Sequence, residues 1–200
     1  MSNFIFENYL TDASGCDDLI EWHQDNKEHH KSGHAYFHGE GIVDKTHKDS
    51  TDFSFSMTDV MDNNKYGGEK ILGPFLQDLQ IMLERYVACF PFSKNCDRFT
   101  ITESMLIQHY LPYQGFKTFH CERFGLETMR RHLVFIAYLN TVEDGGGTEF
   151  LNQNYMCEAK KGKVVIFPTD WTYPHRGIVS PTQEKYILTG WWSYIKELNV

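Results

Sequence analysis

Apolar and polar residues alternate in two different ways along the chain, and the change falls near residue 98. Upstream, Phe4–Leu10 reads as a short strand ending in a turn. Asp12, Ser14 and Asp17 are helix-start residues, and a helix is predicted from about Asp17 to Lys31, burying Leu19, Ile20 and Trp22. His34–Phe55 alternates aromatic and polar residues between glycines, which predicts strands and turns. Asp59–Gly68 is polar and glycine-containing, so it reads as a loop. The next helix is predicted to start at Gly73-Pro74, since proline is tolerated in a first turn. Phe75, Leu76, Leu79, Met82, Leu83, Tyr86, Val87 and Phe90 then recur at helical spacing until Pro91.

Downstream the apolar runs shorten: Ile101–Tyr110, Phe116–Glu122, His132–Asn140, Lys163–Phe167, Gly177–Val179 and Tyr186–Tyr194, with Gly or Pro between most of them. Many short strands with turn signals predict a sandwich or barrel, hence a mainly β (α+β) fold. No repeat or low-complexity segment interrupts the chain. A single domain over 1–200 is expected, with 1–98 as helical and strand support for a β core over 99–197.

Composition narrows the classes. The net charge of -8 argues against a protein built to grip nucleic-acid phosphates or an anionic membrane. Five cysteines, odd in number and without CxxC, read as free thiols in a reducing compartment, so a cytoplasmic location is expected. No signal peptide or transmembrane run is evident.

Candidate chemistry begins at Phe116-Lys117-Thr118-Phe119-His120-Cys121-Glu122. In a strand, alternate residues share a face, so His120 and Glu122 point the same way. An imidazole beside a carboxylate is most of the 2-His-1-carboxylate triad that binds iron(II) and leaves open positions. His175, in Pro174-His175-Arg176-Gly177, is the best candidate to complete it. The pair alone also fits a hydrogen-bonded histidine beside a surface carboxylate. His23, His29, His30, His34, His38 and His47 lack regular ligand spacing and read as a solvated face, while His109 and His132 read as structural.

Ten residues after His175 comes Lys185. On a strand it shares a face with Ile187, Thr189 and Trp191, and an unpaired ammonium on an apolar face is costly. A small-ligand carboxylate would satisfy Lys185 and Thr189, and Tyr138 offers a further hydroxyl. A strand-end lysine reaching solvent is the other reading. The glycines of Glu143-Asp144-Gly145-Gly146-Gly147-Thr148-Glu149-Phe150 suit a sharp turn, since the phosphate-loop pattern GxxxxGK[ST] is absent.

In order, HxE, Tyr138-Leu139-Asn140, Gly145-Gly146-Gly147-Thr148-Glu149-Phe150, Lys160-Lys161-Gly162-Lys163-Val164-Val165-Ile166-Phe167-Pro168, His175, then Lys185 with Thr189 and Trp191, resemble the prolyl 4-hydroxylase branch of the iron(II)/2-oxoglutarate dioxygenases. The resemblance covers about Thr102 to Tyr194, and Lys48-Asp49-Ser50-Thr51-Asp52 resembles a family segment near the substrate groove. It implies a double-stranded β-helix, or jelly-roll. It implies Fe(II) on His120, Glu122 and His175, and 2-oxoglutarate anchored by Lys185 with Tyr138 and Thr189. Tyr110 would line that pocket, and Trp191 and Arg176 would wall the substrate site. O2 would be the co-substrate and ascorbate the reductant. The implied reaction couples oxidative decarboxylation of 2-oxoglutarate to hydroxylation of an unactivated C–H bond. A prolyl residue of a peptide or protein is the expected substrate. The alternatives are a free amino acid or other small molecule, or a non-catalytic jelly-roll binding module. The family usually has HxD, and Glu122 is one methylene longer. A mobile loop near Asp59–Gly68 would favour a peptide, and a closed pocket a small molecule.

Overall fold

The computed structural model describes residues 3–37 and 40–196. The upstream part contains β1 (Phe6–Tyr9), α1 (Gly15–Asp25), β2 (Lys31–Ser32), β3 (Ala35–Phe37), β4 (Glu40–Ile42), β5 (Lys48–Asp49), β6 (Thr51–Phe55) and α2 (Glu69–Cys89). Then come β7 (Phe99–Ile101), β8 (Met105–Tyr110), β9 (Gly115–Phe116), β10 (Arg131–Tyr138), β11 (Thr148–Phe150), β12 (Tyr155–Cys157), β13 (Lys163–Pro168), β14 (His175–Gly177) and β15 (Lys185–Tyr194).

These strands form a jelly-roll. The large antiparallel sheet runs β1-β13-β10-β15-β8-β6-β2, with β7 added beside β15. The opposing layer is β12-β11-β14, carried on by a bridge between His175 and His120 and by the β5–β9 pair. Strands from the upstream part, β1, β6 and β2, form both edges of the large sheet, so the support and the core share one sheet.

The large sheet is buried on both faces, which is why its strands read as unbroken apolar runs. On β10, Leu133, Phe135 and Ala137 pack towards Leu19 of α1 and Leu72, Phe75, Leu79 and Met82 of α2. Val134, Ile136 and Tyr138 turn into the barrel with Val165, Phe167 and Ile187. Gly190 lets Phe135 pass, since a Cβ there would meet Phe135 Cε1 at 2.8 Å. Among the described residues no helix is long and apolar enough to cross a membrane.

Several boundaries differ from the sequence reading. α1 stops at Asp25, not near Lys31, because Asn26 Nδ2 donates to the Trp22 carbonyl at 2.9 Å and Lys31 pairs with Asp52 in the sheet. α2 begins at Glu69, upstream of Pro74. Pro74 forgoes one bond to the exposed Lys70, while the turn before it buries Leu72. Asp59–Gly68 is not a loop: Thr58–Asp62 and Lys65–Gly67 are helical turns anchored by buried Val60. Phe116–Glu122 is a strand only at its start, with the isolated bridge at His120. His23 is not solvated but buried against His30, His109 and Tyr186. His38 lies outside the described residues.

Candidate metal and co-substrate site

His120 and His175 are backbone partners. His120 N–H donates to the His175 carbonyl at 3.0 Å, and His175 N–H to that of His120 at 2.9 Å. Directly opposed residues project to the same side, and the two rings lie 4.3 Å apart. Glu122, two residues on, returns to that side. Its Oε1 is 3.3 Å from His175 Nε2 and 3.7 Å from His120 Nε2. The three ligand atoms lie within 4.8 Å of one another.

The tautomers follow from the carbonyls behind the rings. His120 Nδ1 is 3.1 Å from the Thr118 carbonyl, and His175 Nδ1 is 3.1 Å from that of Tyr173. A carbonyl only accepts, so each Nδ1 carries a proton and each Nε2 turns a lone pair inward. Two such lone pairs facing a carboxylate repel unless a cation lies among them. Burial, helped by His175, lowers the His120 pKa. Burial alone would raise that of Glu122, but when a proton rather than a metal sits on Nε2, hydrogen bonds from His120 and His175 outweigh burial and hold the carboxyl well below its usual range. Neutral imidazoles and an ionised carboxylate are the donor set a divalent transition metal takes, so these residues fit iron(II). His120 is further fixed by Phe116, stacked on it at 3.6 Å.

Lys185 opens β15 opposite Tyr110 of β8 and is 5% exposed. Its ammonium lies 4.6 Å over the Tyr110 ring, and no acidic side chain among the described residues pairs with it. Burial pulls its pKa down to about 8. Lys185 and the His120–Glu122–His175 cluster line one cavity of about 690 Å³.

Tyr110, Tyr138, Thr189 and Trp191 line this cavity too. Their hydroxyls already have partners. Tyr138 bonds Thr148 at 2.7 Å, Thr189 donates to the Phe135 carbonyl at 2.9 Å, and Tyr110 donates to Gln108 at 2.5 Å. Thr189 therefore shapes the wall with its proton already committed. Arg176 does not line the cavity. Strand alternation turns it away between His175 and Gly177, and it pairs with Glu149 at 2.8 Å.

Two groups were missed in the sequence. Arg131 lines the cavity and contacts Glu122, but in sequence it is only one of two adjacent arginines at the start of β10. The second is a buried ion pair, Lys48 to Asp52 at 2.7 Å, with Ser50 Oγ donating to Asp52 at 2.7 Å. It extends the cavity past Gln108 towards Lys31 and Ser32. The Lys48–Asp52 segment was visible by resemblance, but not the pairing.

Residues 105–193 match the profile of the 2OG-Fe(II) oxygenase superfamily. That span, the β core of the chain, is similar to the 2OG-Fe(II) oxygenases. It runs from the start of β8 almost to the end of β15 and holds the triad and Lys185. No curated protein matches this chain in sequence. Its fold is similar to that of the viral collagen prolyl hydroxylase of Paramecium Bursaria Chlorella virus-1, solved as a 2OG complex. The TM-score is 0.69 at 17% identity, over 97% of this chain and 98% of that one. A Pseudomonas putida prolyl-4-hydroxylase gives 0.67 at 15%, over 96% and 93%. A Trichoplax adhaerens prolyl hydroxylase, in complex with a hypoxia inducible factor oxygen degradation domain peptide fragment, gives 0.72 at 13%, over 96% and 84%.

Proposed function

We propose that this chain is a 2OG-Fe(II) oxygenase that hydroxylates an unactivated C–H bond of a prolyl residue in a peptide or protein, using His120, Glu122 and His175 for Fe(II) and Lys185 for 2-oxoglutarate. The observation that carries the co-substrate assignment is the buried Lys185 ammonium, unpaired within the cavity that also holds the triad. A dicarboxylate bridging the two would supply a counter-charge that no acidic side chain among the described residues gives Lys185. Iron(II) in the triad would supply O2 activation driven by oxidative decarboxylation of 2-oxoglutarate to succinate and CO2. The chain itself would orient. Phe116 and the Thr118 and Tyr173 carbonyls fix the imidazoles, Lys185, its ammonium seated over the Tyr110 ring, fixes the far carboxylate, and Ile136 and Ile187 line that wall.

The prolyl reading draws on the likeness in fold to prolyl hydroxylases, one of them peptide-bound. A free amino acid is the second reading. The Lys48–Asp52 pair lining the cavity offers a cation and an anion to a zwitterion, and residues 59–68, where a mobile loop would have favoured a peptide, do not line it. Ascorbate would keep the metal ferrous. The five free cysteines suit a reducing compartment such as the cytoplasm.

Succinate formation with Fe(II), 2-oxoglutarate and ascorbate tests this. A panel of proline-containing peptides should stimulate it, with free proline and free lysine as controls. Stimulation by a free amino acid alone moves the substrate to the second reading. No succinate under any condition, even slowly without substrate, ends the enzyme reading.

A further inference from the structure

Glu122 raises a question of geometry. Its carboxylate is long enough to present both oxygens to a metal, which would use up a coordination position that the co-substrates need. The structure occupies the second oxygen elsewhere. Trp191 Nε1 donates to Glu122 Oε2 at 2.9 Å, and Arg131 Nη1 lies 3.6 Å from the same oxygen. Arg131 Nη1 also donates to the Glu122 backbone carbonyl at 2.9 Å, so the residue is gripped at both ends. Only Oε1 faces the histidines.

This grip is itself built. The Arg131 guanidinium lies 3.8 Å over the Trp191 ring. Glu103 holds its far side, accepting from Nε at 2.9 Å and Nη2 at 2.6 Å, and Ser193 Oγ donates to Glu103 at 2.8 Å. Arg131 reaches the cavity through a register shift between Arg131 and Leu133 against β15. In regular alternation both would share a face, yet Leu133 packs towards the helices and Arg131 lines the cavity. Bulges re-aim side chains in this way beside active sites.

We propose that Trp191 and Arg131 are positioning residues that hold Glu122 Oε2 away from the metal, so that Glu122 ligates through Oε1 alone. The proposal rests on the metal reading above. It explains how a glutamate serves where the resemblance leads one to expect aspartate.

Mn(II) binding, measured without turnover, tests it. Trp191→Phe keeps an aromatic face for Arg131 and deletes the N–H. It should weaken Mn(II) binding roughly 10- to 100-fold, the usual cost of losing a partner behind a ligand. Water-proton relaxation should find fewer metal-bound waters, as Oε2 takes one position. Arg131→Lys should shift both readouts the same way. Trp191→Phe with wild-type affinity and wild-type hydration overturns the proposal while leaving the metal reading intact. A wild type that binds no Mn(II) overturns both. Should the variants not fold, the Trp191 indole N–H of the wild type decides. Slow solvent exchange, with and without Mn(II), supports the grip, and fast exchange overturns it.

Discussion

Lys185 and Tyr110 face each other across β15 and β8, and the ammonium lies 4.6 Å above the phenol ring. The ring supports the cation without neutralising it, so the pair is poised for an anion. Lys185→Met should raise the 2-oxoglutarate concentration needed for half-maximal turnover roughly 30-fold or more, the cost of removing one partner of a buried charge pair. Mn(II) affinity without 2-oxoglutarate should stay within a few-fold of wild type. Loss of both together would place Lys185 in the metal site instead.

The same lysine sets a pH dependence. Its folded pKa of about 8 lies below the ordinary 10.5. Binding of 2-oxoglutarate needs the ammonium, so affinity should be full below about pH 8 and fall above it. Stability without co-substrate runs the other way. The cost of burying the charge, on the order of 3 kcal/mol, is present below that pH and fades as pH rises towards 10.5. Lys185→Met should remove this gain from a pH series of denaturant melts.

Metal binding should be visible as stability. Mn(II) at a hundredfold excess over its Kd should stabilise the wild type by about 2.7 kcal/mol. His120→Ala and His175→Ala should lose most of this gain and all succinate formation, and EDTA should reverse it in the wild type. An equal rise in Tm for wild type and His175→Ala would place the ion elsewhere.

The Lys48–Asp52 pair is buried, with side chains 5% and 7% exposed. Lys48→Met or Asp52→Leu alone should destabilise by about 3–5 kcal/mol, because each leaves an uncompensated charge. The double change should cost far less, as read from denaturant midpoints. Additive losses would show that the two do not act as a pair.

Phe135 is fully buried between α2 and Trp192, its ring 6.2 Å from Phe75 and 5.3 Å from Trp192. Phe135→Ala should cost about 3–5 kcal/mol. Metal affinity should hold wherever the protein stays folded, since Phe135 faces away from the cavity.

The order of elements was legible along the chain because local periodicity encodes it. α2 shows its apolar stripe, and the β half shows short runs between Gly and Pro. The alternation of Lys185, Ile187, Thr189 and Trp191 gave one wall of the cavity, and all four residues line it. Errors fell where a tertiary contact outweighed the local signal. α1 ended early because Lys31 joined β6, and residues 59–68 coiled because Val60 found the core. His23 was buried by neighbours distant in sequence.

The sequence by itself determined which donors the chain owns and on which strands they stand: two histidines, a glutamate and a lysine in order. The fold decided how they meet. His120 and His175 stand 55 positions apart, and only their antiparallel bridge sets the rings side by side. The fold also decided which glutamate oxygen is free, through a bulge that turns Arg131 inward, and where Arg176 goes. Side-chain direction in a sheet depends on register, and register is a property of two strands together, which one strand's residues do not specify.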